Sequence, residues 1–216
     1  NHYMTDLSII IISYNTSDIT LACLKSLEES LQNVPTLKVE IIIFDNNSKD
    51  DTKKLVHGFI QGLEDSPNIT FKTIFHRENI GYAQGNNLAV GYTEAPYILF
   101  LNSDTEILGN AIHKLYTFLL NHHEYHFAAP KLLNADMSAQ PSCGRFYTLP
   151  VAFSALFLRG DYWGLTRFLP AKTREVDWVS GACFLTRKEY FTDLGGFDEK
   201  VFMYWDEVDL FYRAHQ

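Results

Sequence analysis

Four isoleucines in succession, Ile9–Ile12, constrain this chain more than any other feature. β-Branched side chains are stiff at χ1 and suit a pleated strand better than a helix. A strand with one wet face alternates polar and apolar residues, whereas an unbroken apolar run needs cover on both faces. "LSIIIISYN" therefore reads as a central strand between two layers of helices. "VEIIIFDNNS", "ITFKTIFH" and "YILFL" supply three more strands.

Helical patterns separate them. Ser17 or Asp18 can cap a helix carrying Leu24, Leu27 and Leu31 at i, i+3, i+4 spacing. A second helix runs from Lys53 to Leu63, "GYAQGNNLAVGY" forms a short helix or turn, and Asn110 to Leu120 is another helix. Strands alternating with helices predict an α/β fold with a mostly parallel central sheet and helices on both faces. "EVDWVSGACFLTRK" reads as one longer strand, and the aromatic-rich, poorly periodic stretch from Phe146 to Trp163 as a mobile loop region. "DEVDLFYRAHQ" reads as a helix with an acidic start.

A length of 216 residues suits one domain with a substantial core. Asn1, His2 and Tyr3 before Met4 read as a cloning remnant, and a helix running to the last residue leads us to expect that the natural protein continues. The formal charge of -8 argues against a nucleic-acid duplex as partner, because neutralising phosphates takes dense Lys and Arg. One anionic small molecule remains compatible if a metal ion supplies local positive charge. Cys23, Cys143 and Cys183 are odd in number and far apart, which fits a reducing, cytoplasmic setting and neither a disulfide framework nor a zinc site. No basic start precedes the first apolar run, as a secretory leader would require. Val151 to Leu158 is too short to cross a bilayer, which takes about 20 residues, but is compatible with peripheral contact at the inner face of a membrane.

In open α/β sheets, ligands sit at the carboxyl ends of the strands. Here those ends carry Tyr14-Asn15, then Asp45-Asn46-Asn47-Ser48, then His76 to Asn79 leading into Gly81 and Gly85, and finally Asn102-Ser103-Asp104. Four polar strand ends on one edge are worth more than any single motif. No GxxxxGK[ST] and no GxGxxG follows the first strand, which argues against a phosphate-binding P-loop and a dinucleotide-binding oxidoreductase. If the chain stays extended past Asn102, its amide and the Asp104 carboxylate leave on one side. That pair suits a hard cation such as Mg2+ or Mn2+. The competing reading is a turn that caps the following helix.

The set "SIIIISYN", "IIIFDNNSKDDT", "NIGYAQGNN", "ILFLNSDTEI", "DWVSGACFLTRKEYFTDLGGFDEKVFMYWDEVDLFYR" resembles, in order and over nearly the whole chain, the family 2 glycosyltransferases that use nucleotide-diphospho-sugars. The likeness is greatest to the rhamnosyl- and galactosyltransferase-like branch that builds bacterial surface polysaccharides. It implies a GT-A-like fold, one catalytic domain over 1–216, a nucleoside-diphospho-sugar donor, a saccharide or lipid-linked saccharide acceptor, Mg2+ or Mn2+ as cofactor, and inversion at the sugar. By position, Tyr14 and Asn15 would lie beside the nucleobase, and Asp45 would accept its ring N–H, with Asn47 on the same loop. Asn79, Gly81 and Asn86 would follow the ribose and diphosphate, although the family commonly carries Arg where Asn86 stands. Asn102, Ser103 and Asp104 would form the variant Asp-x-Asp motif, with Asp104 and Asn102 on the metal. Trp178, Ser180 and Gly181 would face the acceptor. The catalytic base would be Glu207 by position or Asp206 by residue type. Two other readings fit the residues less fully: an inactive sugar-nucleotide-binding module, and a nucleotidyltransferase, which "SYNTSDIT" disfavours for want of a glycine-rich, basic signature.

Overall fold

The computed structural model describes residues 5–63, 66–158, 164, 166–202 and 205–216. Its first half is a run of strand–helix units: β1 (Leu7–Ser13), α1 (Ser17–Gln32), β2 (Val39–Asp45), α2 (Thr52–Gly62), β3 (Ile69–Phe75), α3 (Tyr82–Val90), β4 (Tyr97–Asn102) and α4 (Ala111–Asn121). The second half holds β5 (Phe127–Ala128), β6 (Cys143–Gly144), α5 (Leu149–Phe157), β7 (Arg167–Phe168), β8 (Trp178–Val179), β9 (Cys183–Arg187), α6 (Lys188–Asp193) and α7 (Asp206–His215). The main sheet has the order β3-β2-β1-β4-β9-β5. Its first four strands are parallel, and β9 joins β4 antiparallel.

Double-sided burial explains the apolar runs. Leu7, Ile9, Ile11, Ile41, Ile43, Leu99 and Leu101 pack with Leu24, Leu27 and Leu31 of α1 and with residues of α2 and α4 in one core. Ile10, Ile42, Phe44, Ile98 and Phe100 face the other core, with α3, α6 and α7. Phe100 is the hub of that second layer, its ring 5.0 Å from Phe184, 4.9 Å from Phe191 and 5.2 Å from Phe197. The expected α/β architecture with helices on both faces is thus the one observed.

Three local expectations need correction. The stretch expected as one long strand is two: β8 pairs with β6 in a small sheet of order β7-β6-β8, and after Ser180-Gly181-Ala182 the chain enters the main sheet as β9. Ser180 N–H bonds to Ser142 C=O on one side of this break and Asn102 N–H bonds to Ala182 C=O on the other, so the two pieces answer to different partners. The region expected as a mobile loop contains α5; residues 159–163 of it lie outside the described residues, as do Asn1, His2 and Tyr3. The cap position of α1 is Thr16 rather than Ser17 or Asp18.

The loop before α7 is fixed by polar clamps. Asn87 of α3 donates to Phe197 C=O at 2.9 Å and accepts Phe197 N–H at 2.9 Å, copying a backbone pair. Arg213 of α7 donates to Leu194 C=O at 2.5 Å, to Gly196 C=O at 2.7 Å and to the Asp209 carboxylate at 2.8 Å. No described helix is long and apolar enough to cross a membrane. Gly196 has φ +70°, and a Cβ there would stand 2.6 Å from Asn87 Oδ1. Gly196→Ala is therefore expected to lower stability by about 1–3 kcal/mol, read as a shifted urea midpoint with an unchanged slope.

Candidate active site

Register brings the predicted residues together. Ser13 pairs with Asp45 across β1–β2, and Ile12 pairs with Asn102 across β1–β4. With strands about 4.8 Å apart, Asp45 and Asn102 stand roughly 10 Å apart on the same edge. Loop-to-loop hydrogen bonds then weld the strand ends. Asn15 N–H donates to Ser48 Oγ at 2.9 Å, and Lys49 N–H donates to Asn15 Oδ1 at 2.7 Å. The Thr16 and Ser103 hydroxyls lie 3.3 Å apart. Asn46 reaches the third strand end: its Nδ2 donates to Gly81 C=O at 3.0 Å and its Oδ1 accepts Ile80 N–H at 2.9 Å. Asn15 and Asn47 both adopt positive φ, the left-handed conformation that Asn tolerates better than most residues.

Asp45 is fully buried. Its Oδ2 accepts Ser48 N–H at 3.1 Å and lies 3.9 Å from Lys53 Nζ, while its Oδ1 has no partner among the described residues. An acceptor left unpaired in the interior costs about 1–3 kcal/mol. Gly81 has φ +84°, and a Cβ there would stand 2.7 Å from Phe202 C=O, so only glycine fits this tight passage. Asn79 Oδ1 accepts Gly81 N–H at 3.0 Å and shapes the same turn.

The chain does not stay extended past Asn102. Thr105 N–H donates back to Asn102 C=O at 3.2 Å, so Ser103 and Asp104 form a turn. The same-side argument for Asn102 and Asp104 therefore fails in its premise, and α4 starts only at Ala111. Asp104 is exposed, and neither its carboxylate nor the Asn102 amide has a hydrogen bond among the described residues. Among those residues no group of three or more His, Cys, Asp or Glu could hold an ion alone. One free carboxylate and one free amide oxygen fit a hard cation that keeps waters and takes its remaining ligands from a bound anion.

Two predicted residues direct their side-chain donors into the protein, although the buried Asn86 Oδ1 has no partner among the described residues. Asn86 is buried, and its Nδ2 donates to Tyr82 C=O at 3.0 Å. Trp178 is buried, and its indole N–H donates to Arg145 C=O at 2.9 Å. Tyr14, by contrast, is exposed beside the edge.

The acidic pair opens α7. Asp206 is buried with Oδ2 unpartnered, and Glu207 is half-buried. A Cβ on Gly181 would lie 3.8 Å from both Glu207 and the Tyr82 hydroxyl, so the bare glycine leaves room between them. Tyr82 Oη donates to Gly181 C=O at 3.1 Å. Burial first, then the charges of Asp206 and Glu207, push the Tyr82 phenol up, so it stays protonated and donating. Sequence reasoning missed Tyr82; its place directly after the constrained Gly81 was the available signal. Asn46 was read only as part of a polar strand end because its partners, Ile80 and Gly81, lie far away in the chain; Lys53, whose partner Asp45 is close in sequence, was read only as a helix start.

The family model described as glycosyl transferase family 2 matches residues 8–195. The chain belongs to glycosyl transferase family 2. It is similar to the low-salt glycan biosynthesis hexosyltransferase Agl10 of Haloferax volcanii, 26% identical over 226 residues, covering 99% of this chain and 62% of the relative. In fold it is similar to S. aureus TarS 1-349 in complex with UDP, with TM-score 0.67, 19% identity and coverage of 95% and 54%. A mannosyltransferase of Pyrobaculum calidifontis in complex with GDP-Man and Mn2+ has TM-score 0.59 and 16% identity, with 93% and 49% covered. The chain thus spans roughly half to three-fifths of the length of these three proteins.

Burial, then the neighbouring Glu207 carboxylate, raise Asp206 from 3.8 to about 6. Between about pH 4 and 6 the folded protein holds a proton that the unfolded chain has released, so this group's contribution to stability falls as pH rises through that window. Asp206→Asn removes the buried charge. Its melting temperature should rise above wild type at pH 7.5 and differ far less at pH 4.5, read by thermal melts at the two pH values; equal shifts at both would refute the assignment.

Proposed function

We propose that this protein transfers a sugar from a nucleoside-diphospho-sugar to an acceptor hydroxyl, inverting the anomeric centre, in the synthesis of a glycan or surface polysaccharide. The observation that supports the reading is an unpaired Asp45 oxygen and a free Asp104 carboxylate at the ends of neighbouring strands, with Glu207 facing Gly181, whose neighbour Ala182 accepts Asn102 N–H. Asp45 Oδ1 accepts the ring N–H of the base, an acceptor-only role that suits an ionised carboxylate. Since Asp45 is fully buried, the base reaches it by displacing what covers it. Tyr14 offers its exposed ring to the base, Asn15 and Asn47 shape the adjoining loop, and Gly81 with Asn79 lets the backbone approach the ribose and diphosphate. Asn86 supports this segment from beneath, through Tyr82.

Asp104 and Asn102 would hold Mg2+ or Mn2+, with Ser103 fixing their turn through Thr16. When bound, the ion neutralises charge that builds on the diphosphate leaving group. The fold neighbour in complex with GDP-Man and Mn2+ supports that expectation, and the neighbour in complex with UDP supports a nucleotide as part of the donor. Glu207 takes the proton from the acceptor hydroxyl, which attacks the anomeric carbon opposite the leaving group. Glu207 is the better placed of the two acids, because it faces the space beside Gly181 while Asp206 is buried. The acceptor, a saccharide or lipid-linked saccharide, enters over Ser180 and Gly181, with Trp178 as the buried wall beneath.

The test is donor turnover with and without Mn2+. Glu207→Gln should lower kcat by about 10²–10⁴ with donor affinity little changed, and Asp104→Ala should remove the response to Mn2+. Nucleotide binding without turnover in the wild type would favour a sugar-nucleotide-binding module. Full activity in Asp104→Ala would refute the metal assignment.

A further inference from the structure

Helix α5 is turned inside out. Leu149, Phe153, Leu156 and Phe157 recur at i, i+4, i+7 and i+8, the spacing of one helix face. That face points to solvent: Leu149 is 88%, Phe153 55%, Leu156 77% and Phe157 70% exposed, and Leu158 beyond the helix is 56% exposed. The Ser154 hydroxyl meanwhile is buried without a partner among the described residues. No residue from Leu149 to Leu158 is charged. Soluble surfaces seldom show a contiguous apolar face of this kind without a partner for it.

Charge says which partner. From 145 to 174 the sequence carries Arg145, Arg159, Arg167, Lys172 and Arg174 against Asp161 alone, in a chain whose formal charge is -8. Arg145, Lys172 and Arg174 are exposed. They flank α5 in sequence, and β7, just before Lys172, pairs with the β6 strand next to Arg145. An apolar helix face bordered by cations in an otherwise acidic protein matches a surface with an oily interior and anionic headgroups. The patch is also continuous with the proposed acceptor side. The Tyr147 ring, two residues before α5, lies tilted with its centroid 4.6 Å from that of the half-exposed Trp205, which directly precedes Asp206.

We propose that α5 and its flanking cations form a docking face for an anionic phospholipid bilayer, with the helix lying in the headgroup plane. This rests on the exposed helix and not on the glycosyl-transfer reading. The experiment is sedimentation of the full chain with large vesicles of phosphatidylglycerol and phosphatidylcholine, or of phosphatidylcholine alone. Wild type should partition to the anionic vesicles at least about tenfold more strongly, and less so at high salt. Leu156→Glu with Phe157→Glu should cut that partitioning by about tenfold or more, and Lys172→Glu with Arg174→Glu should abolish the anionic preference. Both variants change exposed side chains and should keep the wild-type thermal melt. Equal binding to the two vesicle types, variants that bind like wild type, or no vesicle binding overturns the proposal. So does a dimer in sedimentation velocity that Leu156→Glu with Phe157→Glu dissolves, since a second copy would then be the occupant. Vesicle binding in a protein that fails to turn over donor would leave this inference standing and sink the transferase reading alone.

Discussion

Burial of β1 on both faces is the constraint from which the rest follows. Ile9 and Ile11 belong to one core and Ile10 to the other, all fully buried. A slip of one residue against β2 or β4 would exchange the two faces and disturb both cores together. The register is therefore held by the whole interior, and that register levels Ser13, Asp45 and Asn102 on one edge. The polar strand ends need no alignment mechanism of their own. Short loop-to-loop hydrogen bonds, chiefly through Asn46 and Ser48, only trim what the sheet has already positioned.

The parts legible in the sequence share one property: their environment is dictated locally. Apolar runs such as Ile9–Ile12 have no stable home except a doubly covered strand, so β1, β2 and β4 could be read directly, and their polar ends with them. What could not be read depends on distant partners. The break at Gly181 exists because Ser180 and Ala182 bond to Ser142 and Asn102, in different sheets. Asn86 and Trp178 have the chemistry of ligand contacts, yet their donors are used on Tyr82 and Arg145, which no spacing rule foretells. The α5 segment looked structureless because periodicity is normally read as burial, and here the apolar stripe faces outward.

The acidic pair at the start of α7 balances opposed effects. A helix amino end favours negative charge, and so supports carboxylates there. Burial of Asp206 and the adjacent Glu207 charge work the other way and win, which is why its pKa rises. Holding two such groups together takes rigid scaffolding, which Arg213 and Asn87 provide by tying α7 and α3 to the glycine turn. Tyr82 completes the arrangement from α3 as an uncharged donor between the carboxylates and the Gly181 carbonyl.

Antiparallel β9 carries a consequence for how such a protein can diversify. Everything on the Asp45–Asp104 edge comes from the first four strands, whereas Gly181 and the α7 acids come from chain that departs after α4 and returns. The seam where these parts meet beside Asn102 runs chiefly through main-chain atoms, with Asn102 N–H and the Thr105 hydroxyl both directed to Ala182 C=O. Main-chain seams are indifferent to side-chain identity. Away from the Phe184, Phe191 and Phe197 rings that pack on Phe100, substitutions can therefore accumulate on the returning half, reshaping whatever it greets, while the opposite half keeps its grip unaltered.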